Sequence, residues 1–251
     1  WMADWYGLST ITSPNTLYTQ DANGDFLFKP DPSTKQIFDE WVFKAGVKPL
    51  IVVGTPSIPE PLVEGGYATG FYGYQIRQPK DYFKWENYIA SMIQWLIDIY
   101  GRDEVKTWGF MFGIESDWQA KAIYPGTQRD MNEADNRKEF IKMVDFFHAA
   151  CVEKLGPTAY VGCYFAFENQ ADDYIKHWAE GTNYATGQKG TRIGFCGFSD
   201  WCVVNLDEKN PFSLQGKKRR ESAGFAMAEN AYAAGLVWKY EYIANLIAKY
   251  P

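Results

Sequence analysis

Histidine is nearly absent from this chain: two occur in 251 residues. Cysteine is scarce, and the four present (Cys151, Cys163, Cys196 and Cys202) show no C-x-x-C spacing. A His/Cys zinc site is therefore not expected, and neither is any other metal or cofactor. Cys163 and Cys196 sit inside apolar runs, the usual setting of small buried thiols. The longest basic run, Lys217-Lys218-Arg219-Arg220, reads as a solvated helix start. A net charge of −6 and a pI near 5.1 argue against a nucleic-acid partner. No apolar stretch is long enough to span a bilayer, so no membrane helix is expected. No N-x-Ser/Thr acceptor occurs, which favours a bacterial source. No secretory leader is visible, and the chain opens on Trp1 rather than on Met, so a processed or incomplete N-terminus is expected.

What is present is apolar and aromatic. Hydrophobic residues make up 46% and charged residues only 22%, the balance of a globular chain and not of a disordered one. The length suits one sizeable core, and with no repeat, linker or low-complexity tract a single domain over 1–251 is expected. Aromatics reach 18%; such rings line cores, and they also floor sugar-binding clefts.

Short apolar runs alternate with long amphipathic segments, the signature of βα units around a parallel sheet. The runs predict strands at Tyr6–Ile11, Leu50–Gly54, Thr107–Gly113, Ala159–Phe165 and Ile193–Phe198. Leu50-Ile51-Val52-Val53 has the continuous apolar character of a strand buried on both faces. Ser33 or Thr34 caps a predicted helix running through Ala45 and stopped by Gly46. Asp81 opens another, with Trp85, Ile89, Met92, Ile93 and Leu96 on one face and Gly101 at its end. A third runs from Ala134 to Lys154 with Phe140, Met143, Val144 and Phe147 inward, and a fourth from Glu221 to Tyr250 is interrupted by Gly235. An eight-unit barrel needs about 31 residues per unit. Here five strands use nearly the whole chain. The expected fold is an incomplete (β/α)₈ TIM barrel holding about strands 2 to 6; a smaller open α/β sheet is the alternative.

Barrel enzymes place reacting groups at the C-terminal ends of their strands. Those ends give Thr55 to Glu60, then Glu115 with Asp117, then Glu168, then Asp200 with Trp201. Carboxylates beside aromatic plates such as Trp118 and Trp201 suit sugar chemistry. One carboxylic acid protonates a leaving oxygen, and a second carboxylate attacks the anomeric carbon or activates water. Each carboxylate taken alone is better explained as a surface residue; the co-location at strand ends weakens that explanation for Glu115.

The stretch Phe38–Trp118 resembles glycoside hydrolase family 39, the β-xylosidase and α-iduronidase group of a retaining barrel clan. FDEWVFKAGVKPLIVVGTPSIPEPL is similar to that family's second helix, third strand and the turn after it. DYFKWENYIASMIQWLIDIYGRDEVKTWGFMFGIESDW is similar to its third helix and fourth strand. Weaker likeness places YTQDANGDF in the loop after the second strand and RIGFCGFSDW at the sixth. In the family the fourth strand ends in Trp-Asn-Glu-Pro; here the positions are Gly113, Ile114, Glu115 and Ser116, so the resemblance implies that Glu115 is the general acid/base. It also implies a carbohydrate substrate, a plant, algal or microbial poly- or oligosaccharide, and a secreted (extracellular or periplasmic) enzyme. Tyr6, Asp117, Trp118, Glu168, Asp200 and Trp201 are the candidate substrate-binding residues, with Trp5 as a further stacking candidate.

Three departures bear on activity. The family's Asn before the acid/base is Ile114, which offers no hydrogen bond to a sugar hydroxyl, and two family histidines appear as Tyr6 and Ser199. The nucleophile, a Glu at the end of the family's seventh strand, is expected beyond Pro251; Glu241, the late rival, lies in a helical pattern with Trp238, Tyr242 and Ile243. Burial of Glu115 beside Phe112, Trp118 and a neighbouring carboxylate would raise its pKa, as a proton donor requires. In a retaining site it would lie about 5 to 5.5 Å from the nucleophile. Two readings stay open: a retaining hydrolase, or a carbohydrate-binding or structural barrel that has lost turnover.

Overall fold

The computed structural model describes residues 2–4, 17–30, 32–66, 77–113, 133–165, 171–198 and 240–250. Strand β1 (Met2–Asp4) is followed by the hairpin strands β2 (Tyr18–Gln20) and β3 (Phe26–Phe28), then helix α1 (Pro32–Asp39), which widens into a π-type turn over Glu40–Lys44. Next come β4 (Leu50–Val53), α2 (Tyr82–Tyr100), the short α3 (Arg102–Val105), β5 (Gly109–Phe112), α4 (Glu133–Leu155), β6 (Tyr160–Phe165), α5 (Ala171–Glu180) and β7 (Phe195–Phe198). Residues 240–249 form a last described helix, α6.

Five strands make one sheet in the order β1-β4-β5-β6-β7, each parallel to its neighbour. Parallel neighbours require a crossover. From β4 onward α2, α4 and α5 supply it in turn. Four strands lie where the apolar runs predicted them. The fifth expected run, Tyr6–Ile11, is outside the described residues, and it is Met2–Asp4 that pairs with β4. The segment YTQDANGDF, expected as a loop, instead forms β2, the turn and the first residue of β3. Asp21 holds its turn, accepting from the backbone N–H of Asn23 (2.8 Å) and Asp25 (2.9 Å).

The helices cover one face of the sheet. Ile51, Val53, Phe110, Phe112, Val161, Cys163 and Phe165 share that face and are all fully buried. Phe112 meets Trp85 of α2 edge-on, at 5.6 Å between ring centroids, and Phe140 and Phe147 of α4 at 6.1 and 5.9 Å. Phe165 packs on Tyr174 of α5 at 5.6 Å. The inward faces of α2 and α4 are the predicted ones: Trp85, Ile89, Met92, Ile93 and Leu96, and Phe140, Met143, Val144 and Phe147, are buried. Asp81 caps α2, its Oδ1 accepting from the Lys84 N–H at 3.0 Å, and Gly101 ends the helix at φ +81°. Helix α5 was not anticipated; it buries Ala171, Tyr174, Ile175 and Trp178 on one stripe. On the same sheet face Cys163 and Cys196, direct register partners, lie with Sγ atoms 3.8 Å apart and are not joined by a disulfide.

The opposite face of the sheet alternates rings with glycines. A Cβ at Gly162 would stand 2.5 Å from the Phe195 ring, and one at Gly197 would stand 2.7 Å from the Tyr164 ring. A Cβ at Gly109 would meet the Leu50 side chain at 2.6 Å. Each glycine makes room for a bulky side chain on the next strand.

Candidate functional site at the C-terminal edge of the sheet

Parallel α/β folds bind ligands beyond the carboxyl ends of their strands, so the site is sought where β4 to β7 finish. After β4 the chain continues extended through Gly54 and turns tightly over Thr55–Ser57. Ser57 Oγ donates to the Gly54 carbonyl at 2.6 Å, and Thr55 and Ser57 are both buried. Glu60 begins the next turn and is exposed. Its charge adds to desolvation in raising the pKa of Tyr18.

After β5 the chain passes through Gly113 at φ +97°, in the left-handed region. The Gly113 N–H donates to the Val53 carbonyl at 2.7 Å, so this end of β5 stays tied to β4. Extending the strand register by one pair sets Gly54, Gly113, Tyr164 and Gly197 in one row at this edge, with Tyr164 on the face away from the helices. Tyr164 is the one member of that row with a side chain. Its half-buried ring lies over Gly197, beside the Met111 sulfur. Sequence reasoning missed Tyr164. The signal available was its alternate position on a predicted strand, which puts it on the face away from the helices.

The predicted site residues Glu115, Tyr6, Asp117, Trp118, Glu168, Asp200 and Trp201, and with them Trp5, Ile114 and Ser199, lie outside the described residues. The strands bring the chain to one edge of the sheet at Gly113, Phe165 and Phe198, two to three residues before Glu115, Glu168 and Asp200. Glu241 is exposed on α6. Among the described residues no group of three or more His, Cys, Asp or Glu side chains is arranged to hold a metal ion.

Both histidines lie away from this edge, around the fully buried Asp145 of α4. Asp145 pairs with His177 Nε2 at 2.9 Å and accepts from the Tyr184 N–H at 2.9 Å and Thr191 Oγ1 at 2.7 Å. The His177 ring stacks on Tyr184, at 5.3 Å between centroids. Burial lowers the pKa of His148. This network fastens the connection that leads into β7. A carboxylate with its lone pairs so fully engaged anchors a loop rather than serving a reaction.

The sheet order, the helices on one face and the rim at the strand ends define a TIM-barrel-like α/β fold. Solved structures share it. A bacterial orthologue of human α-L-iduronidase superposes with a TM-score of 0.54 at 15% identity, covering 92% of this chain and 32% of that one. A family 39 enzyme from Xanthomonas axonopodis pv. citri gives 0.50 at 12% identity, over 76% of this chain and 34% of the other. Residues 16–195 match the sequence model of glycosyl hydrolases family 39, and the chain belongs to that family. A β-xylosidase of Geobacillus stearothermophilus is 28% identical over 116 residues, 46% of this chain and 20% of that protein. The chain thus spans a fifth to a third of the length of these relatives. No described helix is long and apolar enough to cross a membrane.

Proposed function

We propose that this chain carries the acid/base half of a retaining glycoside hydrolase site, with Glu115 as the acid/base. The observation that supports it best is positional. Within the family match, Glu115 follows by three residues the end of β5, the middle strand of five, at the edge where this fold carries its chemistry. In the first step the Glu115 carboxyl gives its proton to the glycosidic oxygen as the bond from that oxygen to the anomeric carbon breaks. A second carboxylate, supplied by a later strand, bonds to that carbon; Glu115 then takes a proton from the water that releases the sugar. Asp117, Trp118, Glu168, Asp200, Trp201 and Tyr6 are proposed to hold the sugar. The substrate is a poly- or oligosaccharide, and the similarity to a β-xylosidase and to an iduronidase orthologue makes β-xylosides and α-L-iduronides the first to try. Polymers of this kind are met outside the cytoplasm, so a secreted enzyme is proposed.

The test is hydrolysis of a glycan panel by the full-length protein and its Glu115→Gln variant. Turnover by the parent and its loss in the variant are expected; a fully active variant would remove Glu115 from the role. Ile114, in place of a hydrogen-bonding Asn, favours a second reading, a barrel that binds glycans without cleaving them. That reading predicts glycan binding by calorimetry with no product from any member of the panel.

A further inference from the structure

The end of β5 is held from three sides at one residue. Gly113 is bonded through its N–H to Val53 on β4, at 2.7 Å. On the side of β6, a Cβ at this position would stand 2.5 Å from the Tyr164 carbonyl oxygen, and on the side of α4 it would stand 3.3 Å from the Phe140 ring. The carbonyl is backbone of β6, where Tyr164 is still in register with Gly197 of β7, and cannot swing aside as a side-chain tip can. Its φ of +97° is also one that residues with a Cβ rarely adopt. Space and dihedral thus independently demand glycine at the last point where the strand still governs the direction of the chain.

We propose that Gly113 is a positioning residue for the acid/base carboxylate: its left-handed backbone, packed directly on the Tyr164 carbonyl, sets the direction in which β5 delivers residue 115 to the cleft. This rests on the reading of Glu115 given above. Any side chain at 113 forces the strand end and the Tyr164 carbonyl apart by about 0.9 Å before contact distances become ordinary. Displacements approaching 1 Å at a reacting group cost on the order of 10²-fold in rate. The loss falls on proton delivery, because the proton donor is the group displaced.

Substrates whose leaving group needs a proton separate this effect from general damage. A phenyl glycoside departs as a poor leaving group and depends on the acid; a 2,4-dinitrophenyl glycoside departs as a stable anion and does not. The experiment measures kcat/KM for both, as β-xylosides and as α-L-iduronides, using the full-length protein and its Gly113→Ala, Phe140→Leu, Glu115→Gln and Gly162→Ala variants. Gly113→Ala is expected to lose about 10²-fold on the phenyl substrate and only a few-fold on the dinitrophenyl one. Phe140→Leu, which removes the ring bounding the space beside residue 113 and adds no backbone strain, gives a smaller loss in the same sense and carries the test if Gly113→Ala does not fold. Gly162→Ala, a packing change on the inner face, affects both substrates alike. Equal losses, or none, on the two substrates in both Gly113→Ala and Phe140→Leu overturn the positioning role while leaving Glu115 in place. If Glu115→Gln itself fails to discriminate the leaving groups, or the parent cleaves neither, the acid/base reading falls and this one with it.

Discussion

Tyr164 and Asp145 illustrate two fates of a polar side chain inside a folded sheet protein. Tyr164 sits on the inner face at the C-terminal edge, flanked in its row by glycines, and under the proposed function its ring is a surface against which a sugar could rest. Tyr164→Ala is expected to raise KM for a glycan substrate several-fold with a smaller change in kcat, and steady-state kinetics on the full-length protein would show it; an unchanged KM would take Tyr164 out of the cleft. Asp145 has the opposite role. Replacing it by Ala strands the Thr191 hydroxyl and the Tyr184 N–H in a buried place, at a cost of about 3 kcal/mol. A large drop in the denaturant midpoint should follow, with Asp145→Asn falling between that and the parent. None of this was legible in the sequence. The partners of Asp145 lie 32 to 46 residues away, and only the packed connection into β7 brings them together. The proposal of Glu115, by contrast, comes from a resemblance; what the structure bears out is the strand before it, which lies where the apolar run placed it.

At the scale of elements, a helix start was legible where Asp81 preceded an amphipathic stripe, whereas α1 begins at Pro32, so that Ser33 and Thr34, the expected caps, lie inside its first turn. Asp81→Ala should lower stability by about 1 kcal/mol through the exposed Lys84 N–H, measurable by chemical denaturation. The pairing of α2 with α4 carries a pH signature that the sequence could not announce. Burial, aided by the charge of Glu153, lifts the Glu86 carboxyl from 4.5 to about 7. The folded chain keeps that proton over a range in which the unfolded chain has released it, so this contribution is fully present below pH 4.5 and fades as pH rises through 7. Glu86→Gln should therefore melt higher than the parent at pH 8 and no higher at pH 4; a gap independent of pH would contradict the assignment. Elements were missed where the pattern was thin. β1 is three residues long, too short to show a period, and the apolar stripe of α5 is interleaved with Asp172, Asp173, Lys176 and His177.

Across the whole molecule, the helix side of the sheet is sealed by aromatic packing and the C-terminal edge is left to the loops. The sealed side can be probed through sulfur. Burial pushes the Cys151 thiol up, and Cys163 is fully buried beneath α4 and α5. Both should resist an aromatic disulfide reagent in the native protein and react at the rate of global opening. Fast labelling of Cys163 would mean that β6 is exposed. The strand order was legible because buried parallel strands read as unbroken apolar runs, whereas the close approaches within the sheet were not, since they depend on which strands become neighbours. Those approaches have a consequence for assembly. With Gly162 set against Phe195 and Gly197 against Tyr164, sliding β7 along β6 by two residues would set the two bulky rings against one another. Smooth and bulky positions thus act as key and lock between adjacent strands, so that the sheet rejects the nearest wrong alignment that keeps each side chain on its own face.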